Sequence, residues 1–318
     1  MKTKDHQSRD KLLIGMLRLI RPYQYYKNVL IVFGIVFAGE LIHWGEHLVP
    51  LLAGFVGLCC VSSLNYVLND LKDIESDKLH PEKRNRPLPS GTVPVKVAFL
   101  MIAFLMISSL IIGFFVGLPF LGVCFLVFLT SQLYSFYFKQ IIFADVSFIA
   151  INYVWRAVAG VVIINQRISP WLILLGFLFA LFLALSKRKG DLLLLGEDAV
   201  NHKKVFQHYN MHLIDQATSI VSATMIVSYS LYIFESETFN VANIQVQIFT
   251  VPLVTFCIFR YLYLLEKGGK LARRPELIFV DHQIVICGFL AGVITVLSIY
   301  VDSLGIVWQD ILGLIGLG

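Results

Sequence analysis

Residues 69–91 read NDLKDIESDKLHPEKRNRPLPSG and lie between two long apolar runs. On a helix, Asn69, Asp73 and Asp77 stand four residues apart and share one face; Asp70 falls within a turn of Asp73 and a heptad from Asp77. Three carboxylates this close repel one another. They also fall where a membrane helix is expected to end, and a helix C-terminus disfavours negative charge. A compensating cation is required. Mg²⁺ shared with a substrate phosphate fits best, because Mg²⁺ is usually held by one or two carboxylates plus phosphate oxygens; Mn²⁺ is the alternative ion. The basic run Lys83, Arg84 and Arg86 follows at once and suits further phosphate charge. The same letters also fit a solvated, charge-balanced loop. The Asn-Asp pair ahead, the basic cluster behind and the apolar runs on both sides favour metal and phosphate.

The 318 residues are 57% hydrophobic and only 15% charged, which excludes a soluble domain and implies an all-α polytopic membrane protein. Runs long enough to cross a bilayer, roughly 20 residues each, recur near 29–48, 51–69, 95–116, 118–138, 143–165, 170–187, 213–235, 244–265 and 282–301. About nine transmembrane helices are therefore expected in a single integral membrane domain over 1–318, with a cytoplasmic cap. Its parts are an N-terminal segment 1–28, a first motif loop 70–94, a second motif loop 188–212 and an external tail 302–318. Lys and Arg crowd before Val29 and in every even-numbered loop, whereas the opposite side offers only Arg167. Lys and Arg mark cytoplasmic loops. The N-terminus and both motif loops are thus expected in the cytoplasm, in a cytoplasmic or inner membrane, and the C-terminus outside. The net charge of +5 calls for no nucleic acid, because positive loops at an anionic leaflet account for it. Cys59, Cys60, Cys124, Cys257 and Cys287 all fall in expected spans without metal-site spacing and read as small buried residues. The charged start lacks a signal peptide's short apolar core, so the first span is expected to be retained. Residues 12–20 are mildly amphipathic and suit a helix lying on the membrane surface.

The second constellation opens SKRKGDLLLLGED. Lys187 and Asp191 are four apart on a helix and can pair, with Arg188 pointing to an adjacent direction. A positive-inside anchor explains the basic residues equally simply; their place after the sixth span favours a site. Arg156 lies mid-span in NYVWRAVAG, where a cation is costly and turns to the bundle interior or a wet cavity. Its expected partner is the acidic motif, a bound phosphate or a structural carboxylate. Asp145 reads as a helix-start acid or as a partner of Lys139 or Arg156. Tyr134 and Lys139, in YSFYFK, belong to an interfacial belt or line the same cavity. Arg21, Lys27 and Asn28, in RPYQYYKN, read as snorkelling anchors, with Lys27 and Asn28 also at motif depth. The 25 Phe suit packing or a lateral opening for an isoprenoid tail. A transporter or lipid-binding protein is the reading from a different class, but the acids cluster at a membrane face and not at the midplane.

NDLKDIESDKLHPEKRNRP resembles the first aspartate motif, NDxxDxxxD, of the UbiA superfamily of intramembrane prenyltransferases. The resemblance implies nine helices around a cavity capped on the cytoplasmic side. That superfamily usually carries a second DxxxD-like motif after span six. Here Asp191 is present, but Lys187 stands four residues earlier, with Arg188 and Lys189 adding positive charge. The departure resembles the polyprenyl-phosphate phosphoribosyltransferase branch, as do RPYQYYKN, YSFYFK, WRAVAG, SKRKGD and EKGGKLARRPE. That branch implies 5-phosphoribosyl diphosphate as donor, polyprenyl phosphate as acceptor, and Mg²⁺. The lipid product would feed cell-wall or other pentose glycolipids. Under it, Asn69, Asp70, Asp73 and Asp77 hold the metal, with Asp73 and Asp77 catalytic. Lys27, Lys83, Arg84, Arg86, Lys139, Arg156, Lys187 and Arg188 are the phosphate-binding candidates; Asn28, Tyr134 and Asp191 are further candidates. The alternative is a conventional prenyltransferase moving a prenyl group to an aromatic or glycerol-phosphate acceptor. A homo-oligomer is compatible with either.

Overall fold

A computed structural model describes residues 2–40, 43–79, 83–196, 204–235, 241–267 and 280–300. All regular structure among them is helical. Helix α1 spans Lys2–Ile20 and a 3₁₀ helix Pro22–Leu30. There follow α2 (Ile31–Phe37), α3 (Trp44–Lys72), α4 (Ile74–Leu79), α5 (Val95–Val116), α6 (Leu118–Phe136), α7 (Ala144–Ile163) and α8 (Pro170–Leu195). The chain continues with α9 (Met211–Glu235), α10 (Val241–Gln247), α11 (Thr250–Glu266) and α12 (His282–Tyr300).

Eight helices among the described residues are long and apolar enough to cross a membrane. Helix α5 shows why they suit lipid and not water. Its buried positions are Ala98, Met101, Leu105, Ser109 and Gly113, one stripe at helical spacing. The remaining faces expose Phe99, Leu100, Phe104, Ile111, Phe114 and Phe115. A helix apolar all round but packed on one stripe meets hydrocarbon with the rest.

The expected span 29–48 is not one helix. Its residues divide among the 3₁₀ segment, the seven-residue α2 and the start of α3. Gly39, at φ 76°, turns the chain just after α2. The following span, expected at 51–69, is longer than anticipated, because α3 begins at Trp44 and continues through Pro50. Helix α8 likewise runs to Leu195, so Lys187, Arg188 and Asp191 stand on a helix and not in a loop.

Two compact units make up the chain. The first comprises Met1–Gly34, His43–Phe136 and Trp155–Arg167; the second Ile35–Ile42, Tyr137–Val154 and Ile168–Gly318. In the first, Leu19 of α1 is fully buried with Leu64 and Val67 of α3, Leu88 and Val93 of the following loop, and Ala98, Met101 and Leu105 of α5. Backbones also meet directly: a Cβ on Gly160 would stand 1.9 Å from the Ile31 carbonyl oxygen, and one on Gly34 would stand 2.5 Å from the Val161 nitrogen. Small residues at such crossings allow the close approach that membrane helices use in place of a hydrophobic drive.

In the second unit, Leu178, Phe182 and Leu185 of α8 pack with Val221 and Met225 of α9, Ile258 and Tyr261 of α11, and Ile284 of α12. Several buried polar groups there are paired. Gln247 donates to Thr295 Oγ1 at 2.9 Å, and the Tyr229 and Thr250 hydroxyls lie 2.6 Å apart. Asp281 accepts from the Ile284 N–H at 3.1 Å at the start of α12, and its Arg260 partner holds its carboxyl below the usual range. The tail 302–318 and most of EKGGKLARRPE lie outside the described residues.

Candidate active site

The acidic motif straddles a break between two helices. Helix α3 ends at Lys72, Asp73 is its C-cap at φ −90° and ψ 5°, and α4 restarts at Ile74. The four-residue spacing survives the break: the Asp73 N–H donates to the Asn69 carbonyl at 3.0 Å, and the Asp77 N–H to the Asp73 carbonyl at 2.8 Å. Asp70 and Asp77 are each 3% exposed, whereas Asn69 and Asp73 are half-buried. A buried carboxylate needs a partner, and both have one. Arg86 Nη1 donates to Asp77 Oδ2 at 2.7 Å and to Asp70 Oδ1 at 3.4 Å. Arg21 Nη2 donates to the same Asp70 oxygen at 2.5 Å and lies over the Tyr66 ring. The sequence reading of Arg21 as a lipid anchor is therefore corrected: it belongs to the acidic motif. The signal that could have found it is the Arg-Pro pair, since a residue before proline is driven out of helix and the chain turns there.

Asp70 and Asp77 converge on a single nitrogen, with the Asp73 carboxylate making no ion pair among the described residues. Hard oxygen donors of this kind suit a small divalent cation. No group of three or more His, Cys, Asp or Glu side chains among the described residues forms a protein-only metal cage. Beside this cluster Lys83 is half-buried and Arg84 exposed. A cavity of about 590 Å³ opens next to Asp70 and Arg86 and is walled by α1 and Arg21.

Deeper in the first unit, Arg156 is 6% exposed and donates through Nε to the Asn28 side-chain oxygen at 2.9 Å. Asn28 also donates to Cys59 Sγ at 3.2 Å. The sequence paired Arg156 with the acidic motif, a phosphate or a structural carboxylate; among the described residues the structure brings the Asn28 side-chain amide against its Nε. Asn28 is thus interior and not an anchor. Lys27 is half-buried and donates to Gln24 at 2.7 Å. The Tyr25 hydroxyl lies 2.8 Å from Ser63 Oγ, and burial raises that phenol's pKa. Tyr134, on α6, is half-buried.

The second constellation is a buried ionic network within the second unit. Arg188 Nε donates to Asp145 Oδ2 at 2.8 Å, their side chains 3% and 0% exposed. Arg188 also stands 3.8 Å from Asp191. The Tyr209 hydroxyl donates to Asp145 Oδ1 at 2.7 Å. Burial pushes that phenol well above its ordinary value, and the Asp145 hydrogen bond and charge push it further. Lys189 is buried between Asp215, at 2.7 Å, and Glu266. The expected Lys187–Asp191 pair is corrected: Asp191 sits by Arg188, and Lys187 is exposed. Asp145 serves Arg188 and Tyr209, not Lys139 or Arg156; no sequence spacing announces a partner 43 residues away. Lys139, in the 3₁₀ turn Phe138–Gln140, is half-buried.

Residues 29–279 match the UbiA prenyltransferase family. The chain belongs to this family. It is 27% identical over 90% of its length to the decaprenyl-phosphate phosphoribosyltransferase of Mycolicibacterium smegmatis, covering 92% of that protein. It is 28% identical over 94% of its length to the decaprenyl-phosphate phosphoribosyltransferase of Corynebacterium glutamicum, covering 90% of it. The fold is that of a UbiA homologue from Archaeoglobus fulgidus solved with GPP and Mg²⁺: TM-score 0.64, 20% identity, 91% of this chain and 99% of that one. A UbiA-family chain with this run of apolar helices is an integral membrane protein and a transferase.

Proposed function

We propose that this UbiA-family enzyme transfers 5-phosphoribose from 5-phosphoribosyl diphosphate to a polyprenyl phosphate, releasing diphosphate, at the cytoplasmic face of the membrane. The observation that carries the reading is the cationic turn Lys187-Arg188-Lys189 of α8, where the family resemblance expects a second acidic motif. A conventional prenyltransferase handles one diphosphate and a mostly neutral acceptor, for which two acidic metal motifs suffice. The proposed reaction brings together a diphosphate, a sugar 5-phosphate and a lipid phosphate. Arg188 and Lys189 are neutralised by Asp145, Asp215 and Glu266, so among the described residues the exposed Lys187 is the cation that stands free for that added charge where the second motif would carry a carboxylate. The names of the two phosphoribosyltransferase relatives support the same choice.

In this reading Asn69, Asp70, Asp73 and Asp77 hold Mg²⁺ together with the donor diphosphate. Bound there, the ion supplies electrostatic stabilisation of the departing diphosphate. Arg86, already bridging Asp70 and Asp77, and its neighbours Lys83 and Arg84 close on the donor phosphates. Lys27 is a further phosphate candidate in the first unit, and Lys139 and the exposed Lys187 are those of the second. Arg156 and Arg188, enclosed by Asn28 and Asp145, position the helices that carry the others.

An oxygen of the lipid phosphate forms the new bond to ribose C1 while the C1–O bond to diphosphate breaks and the diphosphate leaves with the electron pair. The acceptor is largely dianionic at neutral pH, since a phosphomonoester's second pKa is about 6. It therefore needs little help from a base. The ribosyl transition state carries oxocarbenium character, which the Asp73 and Asp77 carboxylates stabilise. Catalysis rests on positioning and on charge already in place.

The test supplies purified protein in lipid with polyprenyl phosphate, Mg²⁺ and one of two labelled donors, 5-phosphoribosyl diphosphate or a prenyl diphosphate with an aromatic acceptor. Label entering the lipid phase from the phosphoribosyl donor supports the reading; transfer only from the prenyl donor defeats it.

A further inference from the structure

The cavity beside Asp70 has a wall that the acidic motif does not explain. Ile14, Leu17 and Arg18 of α1 stand at i, i+3 and i+4, one helical face, and all three line the cavity. The opposite face of α1 is fixed, because Leu19 is fully buried in the core of the first unit with Leu12 and Met16 packed beside it. The outward face carries Leu13, Ile14 and Leu17, 58%, 51% and 57% exposed. Three exposed apolar residues on a helix that also carries Arg18, in a membrane protein, describe a helix seated at the boundary between acyl chains and headgroups.

Charge completes the picture. Arg18, Arg21 and Arg86 line the cavity against a single carboxylate, Asp70. Arg21 and Arg86 are paired with that carboxylate, whereas Arg18 makes no ion pair among the described residues. Counting Asp77, which pairs with Arg86 at 2.7 Å, three guanidinium groups stand against two carboxylates and leave a formal charge of +1, the sign that attracts a phosphomonoester of roughly −1.5 to −2 at neutral pH. Arg21 is also held at φ 54° and ψ 59°, left-handed, directly before Pro22. That backbone is unfavourable for a side chain of this size, and such strain persists where the surroundings enforce it. The Arg21 side chain lines the cavity.

We infer that this cavity is a binding site for the phosphate headgroup of a single-chain lipid phosphate, with Arg18 and Arg21 against the phosphate and Ile14 and Leu17 against the first units of the chain. A soluble phosphate would gain from the arginines but not from the apolar rim, so the rim selects a lipid. Identifying that lipid as the acceptor rests on the proposed reaction; the site itself rests on the geometry. It places the lipid phosphate beside Asp70, the residue assigned to the donor's metal.

The experiment measures equilibrium binding of a fluorescent polyprenyl monophosphate to the full chain in zwitterionic nanodiscs, with no donor present, for wild type, Arg18→Gln and Leu17→Asn. Inorganic phosphate and 5-phosphoribosyl diphosphate serve as competitors. Arg18→Gln is expected to weaken lipid binding about tenfold, the scale of one charge-assisted hydrogen bond. Leu17→Asn is expected to weaken it while leaving inorganic phosphate binding unchanged. Both variants should keep the wild-type melting temperature, since neither residue is in the core. Wild-type lipid affinity in both variants overturns the site and leaves the proposed reaction standing. Weakened binding of the soluble donor alone assigns the arginines to the donor and also overturns it. A wild-type protein that binds no polyprenyl phosphate overturns both the site and the reaction.

Discussion

Arg21 and Asp70, 49 positions apart in the chain, meet at 2.5 Å where α3 ends. The pair ties the turn after α1 to the acidic motif and gives the buried Asp70 its nearer cation, with Arg86 farther off at 3.4 Å. The carboxylates of the motif consequently differ. Asp70 and Asp77 are paired with arginines; Asp73 makes no ion pair among the described residues.

That difference separates catalysis from folding. Asp73→Asn should lower turnover at least about a hundredfold, the scale of removing one well-placed electrostatic group, with an unchanged melting temperature in detergent. Asp70→Asn should lower both, because it leaves Arg21 and Arg86 without their shared buried partner. Parallel assays of transfer and thermal unfolding check the pair; unchanged turnover in Asp73→Asn would remove that residue from the mechanism.

Arg188 and Asp145 form an enclosed ion pair in the second unit. Replacing Asp145 with Leu alone removes the carboxylate nearest the buried Arg188, leaving Asp191 at 3.8 Å, and should destabilise by about 3–5 kcal/mol. The double replacement Asp145→Leu with Arg188→Met should recover much of that stability, as apolar substitutes for buried pairs often do. Thermal unfolding of the two single variants and the double variant measures the coupling. No recovery in the double variant would mean that Arg188 is held by other partners.

Gly160 and Ile31 mark a backbone crossing in the first unit. Gly160→Ala places a methyl 1.9 Å from the Ile31 carbonyl oxygen unless the helices separate. Overpacking of this kind costs about 1–3 kcal/mol, and the melting temperature should fall accordingly. An unaltered melting temperature would show that α2 shifts freely on α7.

The proposed displacement has a stereochemical consequence. An α-linked donor attacked in line by the lipid phosphate yields a β-linked product. NMR of the released sugar phosphate lipid reads the anomeric configuration directly, and retention would contradict a single displacement.

Much of this was legible in the letters. The alternation of apolar runs with Lys- and Arg-bearing segments marks long membrane helices, since nothing but hydrocarbon accommodates a helix like α5 with five buried positions and apolar residues elsewhere. NDLKDIESDK located the acidic motif because four-residue spacing brings carboxylates together whether or not the helix breaks at Asp73. What was hidden was partnership. Asp145 with Arg188, Asn28 with Arg156 and Asp70 with Arg21 are set by how helices pack, and separations of 43, 128 and 49 residues carry no periodic signature. Residues 29–48 misled for a related reason: their hydropathy is that of a span, but Gly39 and the glycine crossing at Gly34 and Gly160 suit short helices. Hydropathy reports solvent preference and not backbone geometry.

The account depends on the acidic motif holding the phosphoribosyl donor through a divalent ion. Calorimetric titration of 5-phosphoribosyl diphosphate into the purified protein, with Mg²⁺ and then with Mg²⁺ chelated, for wild type and Asp73→Asn, addresses this without requiring turnover. The account predicts saturable binding by wild type with Mg²⁺, lost on chelation and weakened at least about tenfold in Asp73→Asn. Binding of equal strength in all of these conditions, or none in wild type with Mg²⁺, would contradict it.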